Sequence, residues 1–420
     1  MVVSAREHAL KILNQVEQGA YSDAALKEGL SANISPSDKS LITELVYGII
    51  SNKSRLDYII SSYSKLPLKK LSKWILNILR MGIYQLVFLD RIPESAAVNE
   101  SVKLAKRYGH AASSGFVNGL LRNVSKNGEP KDSEDMAIQY SHPAWLVAMW
   151  EKTYGKDFTK ELLAANNERA AMTIRVNALK ISAMELSQQL EEKGVQTKIL
   201  NDRCIEVRNM GNVEALEAYQ KGLFIVQDTA SMAAVEALSP KAGELIIDVC
   251  AAPGGKTTYL AERMGDQGKV VAFDLHAHKV ELIRKNAQRL GITIIDALEQ
   301  NAEVTREEFL KKADGVLVDA PCSGLGIIRK KPDIKWTKTL QDIDALSKVQ
   351  ERILQTASSY VCKGGRLVYA TCTISEKENE GQLARFLENN KNFELVEKRQ
   401  LFPHIDHCDG FFIGVLKCVE

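Results

Sequence analysis

The chain has 420 residues, enough for two or three domains, and its 45% hydrophobic and 26% charged residues are ordinary for a globular protein. No apolar run approaches the roughly 18–20 residues of a membrane helix, and the start MVVSAREHAL lacks the layout of a signal peptide, which argues against membrane insertion and secretion. Seven cysteines without CxxC spacing argue against a disulfide or zinc framework and favour a reducing, cytoplasmic location.

The net charge of +2 is unevenly distributed along the chain. Residues 1–128 contain 17 Lys and Arg against 10 Asp and Glu, a balance of +7, whereas the remainder has a balance of −5. This basic first third predicts a polyanionic partner. A solvated helical surface is the alternative that charge alone leaves open.

Residues 1–128 are predicted to be helical throughout. In SPSDKSLITELVYGII, Ser35 has the position of a helix cap, Pro36 follows at the first helical position, and apolar residues recur at helical spacing. After a polar linker near residues 125–143, the segments MTIRVN, SAMELSQQLEEKG, QTKIL and CIEVRNM alternate between strand and helix patterns. They predict a small α+β subdomain within residues 129–235.

From residue 236 the pattern becomes that of a Rossmann-like α/β domain. The runs LIIDVCA, KVVAFDL, GVLVDAP and GRLVYATC are typical of strands buried on both faces of a parallel sheet, and helical stretches separate them. Ligands of such sheets bind beyond the carboxyl ends of the strands. The residues expected at those ends are Cys250, Asp274, Asp319, Cys322 and Cys372.

The turn DVCAAPGGKTT after the first of these strands is predicted to bind a cofactor, because its small residues let a ligand approach the backbone at a helix N-terminus. Gly255, Lys256 and Thr257 match the end of a Walker A loop, but Cys250 stands where its first glycine belongs, which disfavours an NTPase. The candidate cofactor-binding residues of this turn are Cys250, Ala251, Ala252, Pro253, Gly254, Gly255 and Lys256.

The second strand ends in Asp274, which lies 19 residues beyond Gly255. This spacing suits an acid that binds the ribose hydroxyls of a nucleoside cofactor, although a helix cap would also explain it. Because the chain lacks a strict GxGxxG motif, S-adenosylmethionine is favoured over NAD.

Cys322 and Cys372 both follow predicted strands at the cofactor edge. An isolated cysteine is usually a small buried hydrophobic residue, but two thiols at this edge suggest reactive groups. Ser375 and Glu378 form an S-x-x-E pattern that predicts a helix start just after Cys372, where a helix N-terminus favours a thiolate. The predicted helix start favours Cys372 as the nucleophile only weakly, so the residues alone leave open which thiol attacks a substrate.

Two thiols beside a methyl donor suggest methylation of an unreactive carbon such as the C5 of a pyrimidine. A thiolate that adds to C6 makes C5 nucleophilic, and loss of the C5 proton later lets the thiol leave. Asp319, which ends the strand in VLVDAPC, is placed to stabilise the charge that develops at the N3–N4 edge. A turn or cap acid is the simpler explanation of Asp319.

The segment IIRKKPDIKWTK after Cys322 is basic and contains a tryptophan. Cations that pair with phosphates and a ring that stacks on bases suit a polynucleotide. The alternative is a solvated loop in which the tryptophan is a core anchor. The candidate RNA-binding residues are Arg329, Lys330, Lys331, Lys335 and Trp336.

These motifs resemble the RNA 5-methylcytosine methyltransferases through DVCAAPGGKTT, VLVDAPCSGLGIIRKKPDIKW, GGRLVYATCTISEKENE and DGFFIGVLK. The form RKKPDIKW is most similar to the RsmB (Fmu/Sun) branch, which acts on 16S small-subunit ribosomal RNA. The N-terminal part is similar to NusB-type RNA-binding domains through LITELVYGII, ILRMGIYQLVFLDRIPESAAVNESVKLAK and GFVNGLLRN. The resemblance implies a NusB-like domain over 1–128, an RRM-like α+β subdomain after the linker within 129–235, and a class I methyltransferase domain over 236–420.

The resemblance also implies roles for individual residues. Cys372, in the Thr-Cys motif, would attack C6, and Cys322, in the Pro-Cys motif, would assist breakdown of the covalent adduct. The adenine contact falls on Asn301, where the family usually has an aspartate, with Asp296 as a nearby substitute. Thr373 stands where the family usually has a serine.

The cofactor implied by the resemblance is S-adenosylmethionine, bound by the loop 250–256, Asp274 and Asp319. The implied partner is small-subunit ribosomal RNA, with neither a metal nor a membrane. A transfer RNA methyltransferase is the nearest alternative function. A NusB-like RNA-binding protein with a vestigial methyltransferase half is the alternative of another class, which the intact loop, Asp319 and both cysteines oppose.

Overall fold

The computed structural model describes residues 3–30, 34–131 and 133–420. The chain divides into two compact units, one made of Met1–Glu168 with Ile328–Thr337 and the other of Arg169–Ile327 with Lys338–Glu420. Residues 1, 2 and 31–33 of the predicted helical domain and residue 132 of the predicted linker lie outside the described part. Within the described part, no helix is long and apolar enough to cross a membrane.

The first unit is built from helices packed around one apolar core, to which Leu45, Ile78 and Leu121 contribute fully buried side chains. Ser35 accepts a hydrogen bond from the N–H of Asp38, so the predicted cap is confirmed. The helices are α1 (Ala5–Val16), α2 (Ser22–Gly29), α3 (Pro36–Ser51), α4 (Lys53–Tyr63), α5 (Lys73–Val87), α6 (Glu94–Tyr108), α7 (Ser113–Asn127), α8 (Met136–Gln139), α9 (Ala144–Tyr154) and α10 (Lys156–Asn167).

The second unit begins with a small α+β subdomain. Its antiparallel sheet has the order β2-β3-β1-β4, and its core forms where Leu186 and Leu190 pack against Ile174 and Ile205 of the sheet. The predicted strands and helix of this subdomain are confirmed. Its elements are β1 (Met172–Val176), α11 (Ala183–Glu191), β2 (Gln196–Asn201), β3 (Cys204–Arg208), α12 (Glu217–Gln220) and β4 (Phe224–Val226).

The rest of the second unit is Rossmann-like, with a sheet of order β10-β11-β9-β8-β5-β6-β7. The neighbours β9, β8, β5, β6 and β7 are parallel, whereas β11 is antiparallel to β9 and β10 to β11. The strands are β5 (Leu245–Asp248), β6 (Lys269–Asp274), β7 (Ile295–Glu299), β8 (Ala313–Asp319), β9 (Val361–Thr371), β10 (Phe393–Leu401) and β11 (Phe411–Cys418).

Helices cover both faces of this sheet, because consecutive apolar strand residues point into different cores. In β5, Ile246 packs with residues of α13 and α14, whereas Ile247 packs with residues of α17 and α18. The helices are α13 (Thr229–Leu238), α14 (Gly255–Arg263), α15 (Ala277–Leu290), α16 (Ile334–Thr337, which lies in the first unit), α17 (Leu340–Ser358), α18 (Glu380–Asn389) and α19 (Pro403–Asp406).

The parallel pairing brings the predicted site residues to one edge of the sheet. Asp248 of β5 is in register with Ala272 of β6 and Leu317 of β8, and Asp319 of β8 is in register with Ala370 of β9. The loops after β5, β6, β8 and β9 therefore leave the sheet at the same edge. The predicted boundaries at residues 128 and 235 fall at the end of α7 and inside α13, and they stay predictions.

Candidate active site at the carboxyl ends of the strands

The turn between β5 and α14 forms a narrow cradle at a helix N-terminus. Gly254 caps α14 with a φ of +100°, a conformation that side chains rarely adopt. A Cβ atom on Gly254 would lie 3.2 Å from the Cα of Ile283, so glycine also favours the close approach of α14 and α15. The free N–H groups at the start of α14 are typical of a site for a polar ligand.

Asp274 joins this turn to the end of β6. One carboxylate oxygen accepts from the N–H of Ala252 at 3.3 Å and the other from the N–H of His276 at 3.2 Å. The N-cap of α15 is His276, so Asp274 is not the cap that the alternative interpretation expected. A carboxylate held beside the cradle at the end of the second strand fits the ribose of a nucleoside cofactor.

Gln227 is a further polar group at the cradle that the sequence did not single out. Its amide oxygen accepts from the Arg175 guanidinium, which directs the amide nitrogen away from that arginine. This buried nitrogen has no hydrogen-bond partner within the described residues, and a Cβ on Gly255 would lie 3.8 Å from it. An unsatisfied donor beside a glycine fits a polar cofactor that is bound in the cradle.

The two candidates for the adenine contact lie at different ends of β7. Asp296 is in register with Val271 and pairs with Lys269, the first residue of β6, at 3.2 Å. It therefore lies towards the amino end of the strands. Asn301 follows the carboxyl end of β7 and its side-chain oxygen accepts from the N–H of Glu303 at 3.0 Å. Of the two, Asn301 is on the edge that carries the cradle.

Lys256 and Asp319 form an ion pair between α14 and the end of β8, with an Nζ–Oδ2 distance of 2.6 Å. Burial by itself lowers the pKa of Lys256, but the negative charges of Asp319, Cys372 and Asp248 outweigh it and raise that pKa. Lys256 therefore stays an ammonium group, and its charge holds Asp319 in place. The Lys256 ammonium also lies 5.2 Å from the ring centre of Phe411.

Asp248 lies beneath the cradle and is completely enclosed. Its Oδ2 accepts from the hydroxyl of Thr257 at 2.7 Å, and its Oδ1 has no partner within the described residues. Burial raises the pKa of Asp248 to about 7, and the charge of Asp319 adds to this effect. The site therefore contains a carboxyl group that is partly protonated near neutral pH.

The sulfur atoms of Cys322 and Cys372 are 3.3 Å apart. The hydrogen bond to Cys372 and then burial raise the pKa of the Cys322 thiol, and the charge of Cys372 adds to them. The raised pKa favours the protonated form of the Cys322 thiol, and the contact itself allows either sulfur to be the donor.

The predicted helix start at Ser375 is wrong. α18 begins at Glu380, and residues 375–379 form a turn in which the N–H of Asn379 donates to the carbonyl of Ser375. The carboxylate of Glu378 does not reach back to Ser375, because it accepts hydrogen bonds from Ser323 and Gln350. Proximity to a helix N-terminus is thus not the reason for favouring Cys372.

The predicted RNA-binding segment Ile328–Thr337 belongs to the helical unit. Lys335 is completely buried there, and its ammonium donates to the carbonyl of Ser51 at 2.9 Å and to Asn167 at 3.2 Å. Burial lowers the pKa of Lys335 well below its usual range. These contacts leave Lys335 no exposed surface from which to reach a phosphate.

Trp336 also contacts the helical unit, since its indole N–H donates to the carbonyl of Ile50 at 2.7 Å and its ring packs against the helical core. This is the placement that the core-anchor alternative predicts. Lys331 is exposed and pairs with Asp23 at 2.9 Å, and Arg329 and Lys330 are half-buried. An RNA-binding role for these residues stays a prediction.

The cradle, the acid after the second strand and the alternating helices define a class of protein, the S-adenosylmethionine-dependent methyltransferases with a Rossmann-like fold. The methyltransferase unit matches the family described as 16S rRNA methyltransferase RsmB/F over residues 235–417. Residues 3–126 match the NusB family, and residues 142–214 match the ferredoxin-like domain of RsmF/B-like methyltransferases.

Relatives match this chain over almost its whole length. The chain is 38% identical to the probable ribosomal RNA small subunit methyltransferase B of Bacillus subtilis, with 98% of each chain covered. It is 35% identical to ribosomal RNA small subunit methyltransferase B of Vibrio cholerae, with 99% of this chain and 98% of that chain covered. The solved structure of PH0851 is 27% identical, with a TM-score of 0.83 and 99% of each chain covered.

The chain therefore belongs to the RsmB/F family of 16S rRNA methyltransferases, which are S-adenosylmethionine-dependent RNA methyltransferases. The predicted family, fold class and cofactor are confirmed. The roles of the individual site residues stay predictions at this point.

Proposed function

We propose that this protein methylates the C5 atom of a cytosine in 16S small-subunit ribosomal RNA through a covalent bond between Cys372 and C6. The observation that carries the proposal is the pair of thiols, 3.3 Å apart, that follow the neighbouring parallel strands β8 and β9. The family description and the names of the relatives support the ribosomal substrate. A ribosomal RNA substrate also places the reaction in the cytoplasm.

The proposed reaction uses each thiol for a different step. The thiolate of Cys372 adds to C6, and the electron pair of the C5–C6 double bond becomes available at C5. S-adenosylmethionine supplies the methyl group that C5 acquires. Removal of the C5 proton by a base restores the double bond, expels the thiolate of Cys372 and so breaks the adduct. Cys322, which keeps its proton, assists this release by donating to the departing sulfur.

The other site residues hold the two reactants. Asp319 stabilises the charge that develops at the N3–N4 edge of the cytosine, and Lys256 fixes the position of Asp319 through their ion pair. The loop 250–256 binds the cofactor, with Asp274 on the ribose and Asn301 on the adenine. Arg329, Lys330 and Lys331 are proposed to contact the RNA phosphates.

The proposal is tested by methyl transfer to small-subunit ribosomal RNA with variants of three cysteines. We expect Cys372→Ala to lower turnover by a factor on the order of 10³ or more, as loss of a covalent nucleophile does. Cys322→Ala should accumulate a protein–RNA adduct that survives a denaturing gel, because the bond to C6 forms but breaks slowly. Cys362→Ala is the matched control, since Cys362 lies at the opposite end of β9 from Cys372.

Near-normal turnover by Cys372→Ala, or a methyl group on an atom other than C5, would contradict the proposed mechanism. Transfer RNA is included as a competing substrate in the same assay. Preferential methylation of transfer RNA would replace the ribosomal substrate by the alternative one and leave the covalent mechanism intact.

A further inference from the structure

Glu378 is a fully buried carboxylate that the proposed reaction does not use directly. It lies in the turn between β9 and α18. One oxygen accepts from the N–H of Ser323 at 2.8 Å and from the side-chain amide of Gln350 at 3.0 Å. The other oxygen accepts from the hydroxyl of Ser323 at 2.6 Å. Ser323, the residue directly after Cys322, is thus bound through both its backbone and its side chain.

Burying a carboxylate costs free energy unless hydrogen bonds compensate for the lost water. The donors to Glu378 are neutral groups, and two of the three belong to Ser323. Moving Ser323 would leave the buried charge with one of these bonds. Glu378 therefore opposes any displacement of the loop that carries Cys322.

The same serine continues the contact to the loop of the other thiol. The hydroxyl of Ser323 is 2.7 Å from that of Thr373, the residue directly after Cys372. Since an ionised carboxylate only accepts, the proton of Ser323 goes to Glu378 and Thr373 donates to Ser323. The chain of hydrogen bonds therefore runs from Thr373 through Ser323 to Glu378.

A backbone contact joins the same two loops at a second point. The N–H of Gly326 donates to the carbonyl of Cys372 at 3.0 Å, and the carbonyl of Gly326 accepts from the N–H of Gly410 at 2.8 Å. A Cβ on Gly326 would lie 1.8 Å from the carbonyl oxygen of Gly410, so the backbones are in close contact. The loops of the two thiols are thus tied together at two points.

We infer that Glu378 is a positioning residue that acts through Ser323 and Thr373 to hold the sulfur of Cys322 against that of Cys372. Its effect on catalysis rests on the proposed function, because it sets the geometry in which Cys322 assists release of the adduct. Glu378 touches neither reacting sulfur in this chain of contacts.

The first test measures how fast the two thiols join in a disulfide, without RNA or cofactor. Diamide takes two electrons and two protons from two thiols as they join in a disulfide, and peptide mapping by mass spectrometry identifies the Cys322–Cys372 bond. We expect Glu378→Ala and Thr373→Val to slow formation of this disulfide at least 5-fold. Thr373→Ser keeps the hydroxyl and should restore most of the rate. Glu376→Gln, two residues from Glu378 but exposed, is the matched control.

The second test measures turnover and adduct with small-subunit ribosomal RNA. We expect Glu378→Ala and Thr373→Val to lower kcat about 10-fold with little change in KM, and to accumulate the adduct that Cys322→Ala accumulates. The conservative Thr373→Ser should reverse both effects. A purely structural role would instead lower the melting temperature and the amount of active protein without this adduct.

Wild-type rates of disulfide formation in both Glu378→Ala and Thr373→Val would overturn the inference. If Glu378→Ala does not fold, the isosteric Thr373→Val decides the outcome alone. A third outcome combines slower disulfide formation in these variants with a wild-type protein that forms no covalent adduct with RNA. That outcome would support the positioning role and reject the proposed function. The two proposals therefore fail on different measurements.

Discussion

Asp248, Lys256 and Asp319 lie at the cofactor loop, and their charges influence one another. Lys256 is paired with Asp319 at 2.6 Å, while the enclosed Asp248 accepts a hydrogen bond from the hydroxyl of Thr257. Burial and the charge of Asp319 raise the pKa of Asp248. The negative charge of Asp319 also raises the pKa of Lys256, against the effect of burial. The Lys256 ammonium is thus stabilised by its carboxylate neighbours, whereas the enclosed Asp248 is stabilised by its proton.

This difference predicts that Asp248 makes stability depend on pH. The folded protein holds the proton of Asp248 up to about pH 7, whereas an unfolded aspartate loses it near pH 4. Between these values the folded state binds more protons, so stability falls as the pH rises and then levels off. We expect Asp248→Asn, which cannot ionise, to remove this fall from the melting temperature measured between pH 4.5 and 8.

The matched control for this prediction is Asp202→Asn, because the Asp202 side chain is 87% exposed. The difference in melting temperature between the wild type and Asp248→Asn should change by several degrees over the pH range, and that between the wild type and Asp202→Asn should not. Parallel curves for the wild type and Asp248→Asn would contradict the prediction.

At the scale of residues, the sequence predicted the strand-end positions but not their partners. Apolar runs located Asp274, Asp319 and Cys372, because a buried parallel strand has a readable end. The prediction that Glu378 caps a helix at Ser375 was wrong, because its carboxylate binds Ser323, which lies 55 positions away in the chain. Spacing along the chain contains no information about such a long-range hydrogen bond.

At the scale of elements, one arginine connects the small subdomain to the cofactor helix. Arg175 of β1 is completely buried, and it donates to the carboxylate of Glu262, to the carbonyl of Gly255 and to the hydroxyl of Thr258 on α14. Its guanidinium also lies 4.8 Å from the ring centre of Tyr259. The ferredoxin-like sheet is thereby fixed to the helix that begins at the cradle.

We predict that Arg175→Met destabilises the second unit by roughly 3–5 kcal/mol, because it leaves Glu262 as an unpaired buried charge. Loss of the contact with Gly255 should also weaken binding of S-adenosylmethionine, measured by calorimetry. Denaturant unfolding checks the stability, with Arg208→Met as control because the Arg208 side chain is 73% exposed. The double variant Arg175→Met/Glu262→Met should recover part of the loss. Equal effects of Arg175→Met and Arg208→Met would refute this role of Arg175.

Several elements with a buried face were predicted, as was the exposed edge strand β2, whereas the edge strand β10 was not. β1 and α11 follow from their apolar periodicity, and the sheet of the subdomain has the expected strands. β10 was not predicted, because its residues from Glu394 to Arg399 are all exposed and form no apolar run. It exists as a strand because it pairs with β11 along its whole length.

At the scale of the whole molecule, the segment Ile328–Thr337 was assigned to RNA on composition alone. It belongs to the helical unit, where Asp333 accepts from the hydroxyl of Ser22 at 2.7 Å and Trp336 donates to Ile50. These partners are about 300 positions away in the chain. Deleting residues 1–128 would remove the partners of this segment, so deletion is a poor test of RNA binding by the basic third.

Substitution of exposed lysines is a more specific test of RNA binding by residues 1–128. Residues 58–89 contain no Asp or Glu, and Lys65, Lys69, Lys70 and Lys73 are all exposed around the short 3₁₀ turn Leu68–Lys70. A stretch with cations and no anions has the charge distribution of a phosphate-binding surface. We therefore predict that Lys69 and Lys70 contact the RNA backbone.

The double variant Lys69→Gln/Lys70→Gln removes two positive charges without touching the core. Each lost phosphate contact should lower the slope of log K against log salt by roughly 0.7–0.9, so we expect a decrease of about 1.5 for the pair. Filter binding of small-subunit ribosomal RNA from 50 to 300 mM salt measures the slope. The control Lys156→Gln/Lys160→Gln removes the same charge from exposed positions of α10, next to Asp157 and Glu161. Equal slopes for the two double variants would show that the lysines at 69 and 70 are only solvated surface, because a phosphate contact alters the slope only where it is made.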